Sequence, residues 1–272
     1  MVGIQDKVVV ITGASRGIGR EIALMCAKNG AKAVVISAKT ADPHPKLKGT
    51  IHTVAEEARQ FGCEAVPFQL DVRDEERIQE MMKLIEEKYG RIDILINNAS
   101  AISPTPTEQT TMKKYHLMQQ VNAGGTFGVS KFAIPLLLKS EDPQILNMSP
   151  PLDLNSPYLK QMVAYSISKF GMSLCTLGMS REFEGRIRVN SLWPLTTIAT
   201  AAIVVNFPPE FLKTSLSPQI VADAAKELFT NPKLAKTGQF WIDHEVLKQS
   251  GGDYDFDQYK YKETPKPEEF LV

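Results

Sequence analysis

The stretch Val8-Val9-Val10-Ile11-Thr12-Gly13-Ala14-Ser15-Arg16-Gly17-Ile18-Gly19 decides the fold. Four β-branched residues in a row read as a strand covered on both faces, the pattern of a parallel sheet. The glycines that follow let the chain turn tightly and bring backbone N–H groups close to a ligand. The helix that the spacing predicts over 17–29 would then offer its positive end to a pyrophosphate. A glycine-rich turn is weak evidence alone. Its place between a strand and a helix is what points to a dinucleotide site.

Working outward, similar apolar runs recur at Ala33 to Ile36, Ala65 to Phe68, Ile94 to Ile96, Ile145 to Met148 and Ile187 to Leu192. Between them, 51–61, 74–89 and 161–184 carry apolar residues at three- and four-residue spacing, as helices packed on a sheet do. The alternation predicts a three-layer α/β domain, a doubly wound parallel sheet of Rossmann type. We expect a single domain over 1–250, since no composition shift divides the chain, and a polar tail outside the core over 251–272. The mostly apolar stretch 199–216, broken by Pro208-Pro209, reads equally as a lid over a pocket or as a helix packed on the body.

Composition narrows the partners. Of 272 residues, 43% are apolar and 23% charged, enough to bury a sizeable core and too apolar for disorder. The formal net charge of zero argues against nucleic acid or an acidic membrane surface as a partner. Cys26, Cys63 and Cys175 are odd in number and widely spaced, so we expect reduced thiols, and the isolated His52, His116 and His244 predict no metal site. The run Val8 to Ile11 is too short for a signal-peptide core or a membrane span, and the terminal Glu-Glu-Phe-Leu-Val differs from the Ser-Lys-Leu peroxisomal address. The expectation is a cytoplasmic protein without integral membrane contact, with peroxisome or mitochondrion as alternatives.

Cofactor choice turns on the end of the second strand. A dinucleotide site usually carries an acid there for the ribose 2′-hydroxyl, whereas this chain has Lys39. An acid would repel a 2′-phosphate; Lys39 with Arg16 would pair with it, and His44, Lys46 and Lys48 follow in the next loop. NADP(H) is therefore expected over NAD(H). Asp71, after the third strand, is placed to accept from an adenine amino group or to cap the next helix.

Tyr165-Ser166-Ile167-Ser168-Lys169 sets a phenol and an ammonium on one helix face. A tyrosine ordinarily loses its proton near pH 10, and a neighbouring ammonium favours the phenolate. Bringing that down by about three pH units takes roughly 4 kcal/mol, which cations in a partly dry cleft can supply.

These signals, with Asn97-Asn98-Ala99, Asn122 in Val121-Asn122-Ala123-Gly124, and Trp193-Pro194, make the chain resemble the short-chain dehydrogenase/reductase family over nearly its whole length. Ser37 to Lys46, Asn97 to Ser103 and Leu146 to Pro151 look more narrowly like the dehydrogenase domain of hydroxysteroid dehydrogenase-like proteins. Some of those continue into a sterol-carrier domain, and the polar tail is where such a linker would begin.

The resemblance implies hydride transfer between NADP(H) and a carbonyl or alcohol carbon of a small substrate, in a homo-oligomer, dimer or tetramer. The apolar segment 199–216 points to an apolar, steroid- or lipid-like substrate, with a hydroxysteroid, a long-chain 3-hydroxy or keto lipid and a xenobiotic carbonyl all fitting. It implies Tyr165 as acid/base, Lys169 as holder of the nicotinamide ribose, and Asn122 as anchor of a proton-relaying water. It assigns the cofactor to Gly13, Ser15, Arg16, Gly17, Ile18, Gly19, Lys39, Asp71, Asn98, Lys169 and Pro194. Asn97 is read instead as satisfying local backbone. The small residues Ser168, Gly171, Cys175 and Gly178 form a stripe suited to close packing, within the chain or between subunits.

The pattern departs from the family twice. Where the family's strand ends Asn-x-Ser-Ser, this chain has Asn147-Met148-Ser149-Pro150, so proline takes the catalytic serine's place and Ser149 is the substitute. After Pro194, the family's carboxamide-binding Ile and Thr match Ile198 and Thr200 only with one extra residue, and Thr197 competes. Pro150 also motivates a second hypothesis, a catalytically impaired NADP(H)-binding sensor or lipid-binding module.

Overall fold

The computed structural model describes residues 3–43 and 47–261. In chain order the first half runs β1 (Val8–Thr12), α1 (Gly17–Lys28), β2 (Ala33–Ala38), α2 (Ile51–Arg59), β3 (Glu64–Gln69), α3 (Glu75–Tyr89), β4 (Ile94–Asn97), α4 (Met112–Met118) and α5 (Gly125–Leu137). There follow β5 (Gln144–Asn147), α6 (Pro157–Gln161), α7 (Val163–Glu182), β6 (Arg188–Trp193), α8 (Ala201–Asn206), α9 (Glu210–Lys213), α10 (Gln219–Thr230), β7 (Phe240–Ile242) and α11 (Asp243–Ser250).

The strands form one parallel sheet in the order β3-β2-β1-β4-β5-β6-β7. Alternation within β1 explains its unbroken apolar run. Val9 and Ile11 join the core shared with α1, α2, α10 and α11, while Val8 and Val10 join the core shared with α3, α5 and α7. The expected doubly wound, three-layer architecture is thus present, and β1 and β4 flank the point where the strand order reverses. In such sheets the carboxyl ends beside that point open a crevice for a ligand.

Each of the six apolar runs falls on a strand, with Met148 one residue past β5 and Ile187 one residue before β6, whereas β7 is only three residues long and gives too little pattern to read. The helical stretch expected over 161–184 is interrupted at Met162, where the backbone leaves helical geometry between α6 and α7. Segment 199–216 folds as α8 and α9, joined through Pro208-Pro209.

The expected polar tail is corrected over its described part. Tyr259 is 2% exposed and donates to Asp223 at 2.7 Å, and Tyr254 donates to Glu227 at 2.7 Å, both acceptors lying on α10. Lys260 also bridges to Leu216, and Ser217 N–H donates to Tyr259 O at 2.7 Å. The aromatic rings interleaved with the acids Asp253, Asp255 and Asp257 supply the apolar surface that a net polar composition hides. Residues 262–272 lie outside the described residues. Among the described residues no helix is long and apolar enough to cross a membrane, and no three metal-ligating side chains of His, Cys, Asp or Glu come together.

Candidate active site

At the carboxyl ends of the central strands a cavity of about 440 Å³ opens. Gly13, Ser15, Arg16, Gly17 and Ile18 form one end of its wall, and Asn98, Ala99 and Ser100 continue it beyond β4. Met148 enters from β5, Tyr165 and Lys169 from α7, and Trp193 and Pro194 from β6. The glycine turn and the phenol–ammonium pair, far apart in sequence, therefore share one cavity.

The turn is locked onto the chain after β4. Gly13 has a φ of 68°, and a Cβ there would stand 2.8 Å from Ala99 Cα. A Cβ on Gly19 would meet Asn98 Nδ2 at 2.5 Å and Gly13 O at 2.6 Å, so Gly19 serves close packing and is not on the cavity wall. Asn98 Nδ2 donates to Thr12 O and Gly13 O, each at 3.0 Å, and Asn98 N–H donates to Thr12 Oγ1 at 3.0 Å. Helix α1 starts with neither a side-chain cap from Arg16 nor an acid in its first turn. Its first N–H groups and positive dipole end are left for an anion, which is the fit a dinucleotide's phosphates require.

At the adenosine end the charges pair with one another. Lys39 Nζ lies 3.4 Å from Asp71 Oδ2, and Arg73 Nε donates to Asp71 Oδ1 at 2.9 Å. The Arg73 guanidinium foremost, then Lys39, holds the Asp71 carboxyl down at about 2 despite some burial. Neither Lys39 nor Asp71 lies on the cavity wall; of the two places expected for Asp71, the local one is present in part, since its Oδ1 accepts from Arg73 N–H at 3.1 Å in the turn before α3, whose cap is Asp74. Arg16 Nη2 donates to Gly49 O at 2.8 Å and Nε to Lys48 O at 3.2 Å, tying the loop after β2 back to the turn. Burial draws its guanidinium below the usual value. His44 and Lys46 lie outside the described residues.

Lys169 is strongly perturbed by its surroundings. It is 3% exposed, its Nζ donates to Met148 O at 2.8 Å and sits 3.3 Å from Met172 Sδ, and the Trp193 ring centroid lies 5.3 Å away. Burial pushes its ammonium down to about 7, so in the unliganded chain the charge is only partly present at neutral pH.

Asn122 sits in a π-helical turn, Gln119–Gly124, between α4 and α5, and is fully buried. Its Oδ1 accepts from Ala101 N–H at 2.7 Å, and its Nδ2 donates to Ala101 O at 2.9 Å and Ser168 Oγ at 2.8 Å. Ser168 Oγ in turn donates to Tyr165 O at 2.7 Å. Both amide hydrogens are spent on protein, and the side chain clamps the loop after β4 to the turn of α7 that carries Tyr165. Within the small-residue stripe, a Cβ on Gly171 would meet Ala123 Cβ at 2.6 Å, so this close packing is within the chain.

Ser149 is corrected too. Strand β5 ends in a tight turn with Ser149 N–H donating to Asn147 O at 2.9 Å, and Met148 faces the cavity. The next residue turns inward: Ser149 is 0% exposed, and its hydroxyl finds no hydrogen-bond partner among the described residues. Asn97, by contrast, takes part in a buried polar ladder, donating to Ser130 Oγ at 2.9 Å and Asn147 Oδ1 at 2.8 Å.

After β6, Pro194, Thr197, Ile198 and Thr200 all reach the wall, so the extra residue in this loop does not carry them away from the cavity. Thr197 Oγ1 accepts from Ser215 Oγ at 2.9 Å, and Thr200 Cγ2 would lie 3.2 Å from a Cβ on Gly17. Segment 199–216 supplies Ala202, Ile203, Phe207 and Phe211 to the same wall, with the two phenylalanine rings 5.3 Å apart. Of the two readings of 199–216, a lid or a helix packed on the body, this placement favours the lid. No sequence pattern marked Ser100, Ile102, Met148 and Met162 as wall residues, because apolar and small side chains carry no chemistry that sets them apart.

The short chain dehydrogenase family model matches residues 7–205. Hydroxysteroid dehydrogenase-like protein 2 of Danio rerio is 53% identical over 251 residues, covering 92% of this chain and 60% of that protein. The chain thus spans from about half to 60% of the length of the curated relatives it matches. Among solved structures, a Xanthomonas campestris dehydrogenase superposes with a TM-score of 0.87 at 41% identity, covering 95% of this chain and 94% of the other. A Shigella flexneri short chain dehydrogenase complexed with NADP gives 0.79 at 25% identity, covering 88% and 98%. A 7α-hydroxysteroid dehydrogenase complexed with NADH and 7-oxoglycochenodeoxycholic acid gives 0.76 at 27%, covering 94% and 97%. A family model that spans most of the chain, joined to a relative at 53% identity over nine-tenths of it, leads to one assignment: the chain belongs to the short-chain dehydrogenase family.

Proposed function

We propose that the protein is an NADP(H)-dependent oxidoreductase that interconverts a carbonyl and an alcohol on an apolar, steroid- or lipid-like substrate, with Tyr165 as the acid/base. The carrying observation is that Tyr165 and Lys169 line the same cavity as the uncapped start of α1. When bound, the nicotinamide supplies or takes up the hydride. The N–H groups at Gly17 and beyond would hold its phosphates, and Lys169 would meet its ribose once the ammonium is charged. In the reductive direction the Tyr165 hydroxyl gives its proton to the substrate oxygen, and a charged Lys169 steadies the phenolate left behind.

The NADP(H) preference rests on the lack of an acid at residue 39 and on the cations Lys39 and Arg16. Among the solved neighbours, one is complexed with NADP and another with NADH. The apolar substrate is supported by Ile102, Met148, Met162, Ile203, Phe207 and Phe211 on the wall. Exposed Phe127 on α5 and Ile167 and Leu174 on α7 support a homo-oligomer, which sedimentation would report as a mass above 30.2 kDa.

A second reading, a cofactor-binding sensor or lipid-binding module, is favoured by the inward turn of Ser149 and by Pro150, which has no hydrogen to donate. One experiment separates the two. NADPH oxidation is followed with a panel of apolar ketones for the wild type and Tyr165→Phe. Turnover lost in the variant with NADPH binding retained supports the enzyme. Tight NADPH binding with no turnover of any ketone supports the sensor.

A further inference from the structure

The cavity loop after β6 is held from behind by a buried carboxyl that the catalytic reading does not use. Asp243, the first residue of α11, is 0% exposed. Its Oδ1 accepts from Leu195 N–H at 2.9 Å, as well as from His244 N–H at 2.7 Å. Leu195 stands between Pro194 and Thr196, both on the cavity wall, while its own side chain is exposed. The loop therefore has a backbone tether at its centre, reaching across to the far edge of the sheet.

The tether extends further. His244 Nδ1 lies 2.9 Å from Asp243 Oδ1, and its ring stacks on Phe256 with centroids 4.8 Å apart and planes within 7°. Phe256 belongs to the C-terminal segment whose Tyr259 and Tyr261 hydrogen-bond the backbone of Ser217 and Ser215 at the base of α9. One chain of contacts thus joins the loop at Pro194, the start of α11, the C-terminal segment and the base of the apolar flap over the cavity.

We propose that Asp243 is a positioning residue for the nicotinamide half of the cofactor site, fixing the Pro194–Thr197 loop against the C-terminal segment. The inference rests on the functional reading above. Trp193, which leads into the loop, lies against Lys169, whereas the phosphates would fall to the N–H groups of α1; loss of the tether at Leu195 would therefore loosen the nicotinamide half of the site more than the phosphate half.

The test compares two ligands: NADP⁺, and 2′-phospho-ADP-ribose, which keeps the phosphates and lacks the nicotinamide ring. Affinities are measured by calorimetry for the wild type, Asp243→Ala, Asp243→Asn and Leu195→Pro. The last deletes the N–H itself from an exposed position and leaves the buried carboxyl in place, so the question stays open to trial if Asp243→Ala does not fold. We expect Asp243→Ala and Leu195→Pro to weaken NADP⁺ about tenfold while 2′-phospho-ADP-ribose stays within twofold. Asp243→Asn, which keeps an acceptor for Leu195 N–H, should recover most of the loss. Equal weakening of both ligands, or no change in either, overturns the proposal. A wild type that binds neither ligand refutes the functional reading and this inference with it; binding of both by the wild type, with parallel losses in the variants, refutes this inference alone.

Discussion

Replacing Lys169 by Met gives the sharpest physical test of the site, because the buried ammonium costs stability in a way that depends on pH. The drop from 10.5 to about 7 on folding converts to ~5 kcal/mol at ~1.4 kcal/mol for each pH unit. The sign follows from proton counting. Between about pH 7 and 10.5 the unfolded chain holds a proton on this lysine and the native chain does not, so unfolding takes up a proton and native stability rises with pH. Below pH 7 both states are protonated and the full penalty applies; above 10.5 neither is, and the penalty vanishes.

Methionine has a similar length and no proton to bind, so Lys169→Met should be more stable than the wild type in acid. The advantage is expected near 4–5 kcal/mol at pH 6, about 3 kcal/mol at pH 8 and about 2 kcal/mol at pH 9. Urea unfolding of the two unliganded proteins from pH 6 to 9.5 measures it directly. The absolute offset also contains the lost contact of Nζ with Met148 O, so the slope of the difference is the quantity to read. A difference that stays flat across that range would refute the reasoning, since it would mean that the lysine titrates alike in the folded and unfolded chain.

Other outcomes follow from the same geometry. Lys39→Asp should lower the ratio of NADPH to NADH affinity by about tenfold or more, because it sets a second acid beside Asp71 where a 2′-phosphate would lie; unchanged ratios in titrations with both cofactors would remove the charge argument. Gly19→Ala should cost about 1–3 kcal/mol in urea unfolding and abolish measurable NADPH binding, since its Cβ would fall 2.6 Å from Gly13 O and 2.5 Å from Asn98 Nδ2. A variant that binds NADPH normally would show that the turn can yield.

The fold could be read because a parallel sheet writes itself in unbroken apolar runs and every central strand here has one. What escaped reading was what those patterns do not encode. The three residues of β7 are too few for a period to show. The segment around Tyr254 and Tyr259 looked like a tail because its acids dominate the composition, although its tyrosine hydroxyls bond Glu227 and Asp223 along the side of α10. Asp243 could not be singled out at all: a lone acid at a helix start is commonplace, and only the tertiary fold brings Leu195 N–H to it.

The site was legible where a motif is local and obscure where one residue of register matters. Asn98, Tyr165, Lys169 and the glycine turn each follow from a strand end or a single helical turn, so the fold carries them to the cavity together. Ser149 fails because neighbouring residues at a strand end point to opposite sides. Leu146 and Met148 lie with the core on one face of the sheet and Ile145 with the core on the other. With Met148 on the cavity wall, the side chain of Ser149 is 0% exposed and off that wall, and the next residue, Pro150, has no hydrogen to donate. A hydroxyl one residue early cannot stand in for one in register. Either the substrate oxygen is oriented by Tyr165 with help from another wall group, or turnover is slow, and the ketone panel with Tyr165→Phe distinguishes these directly.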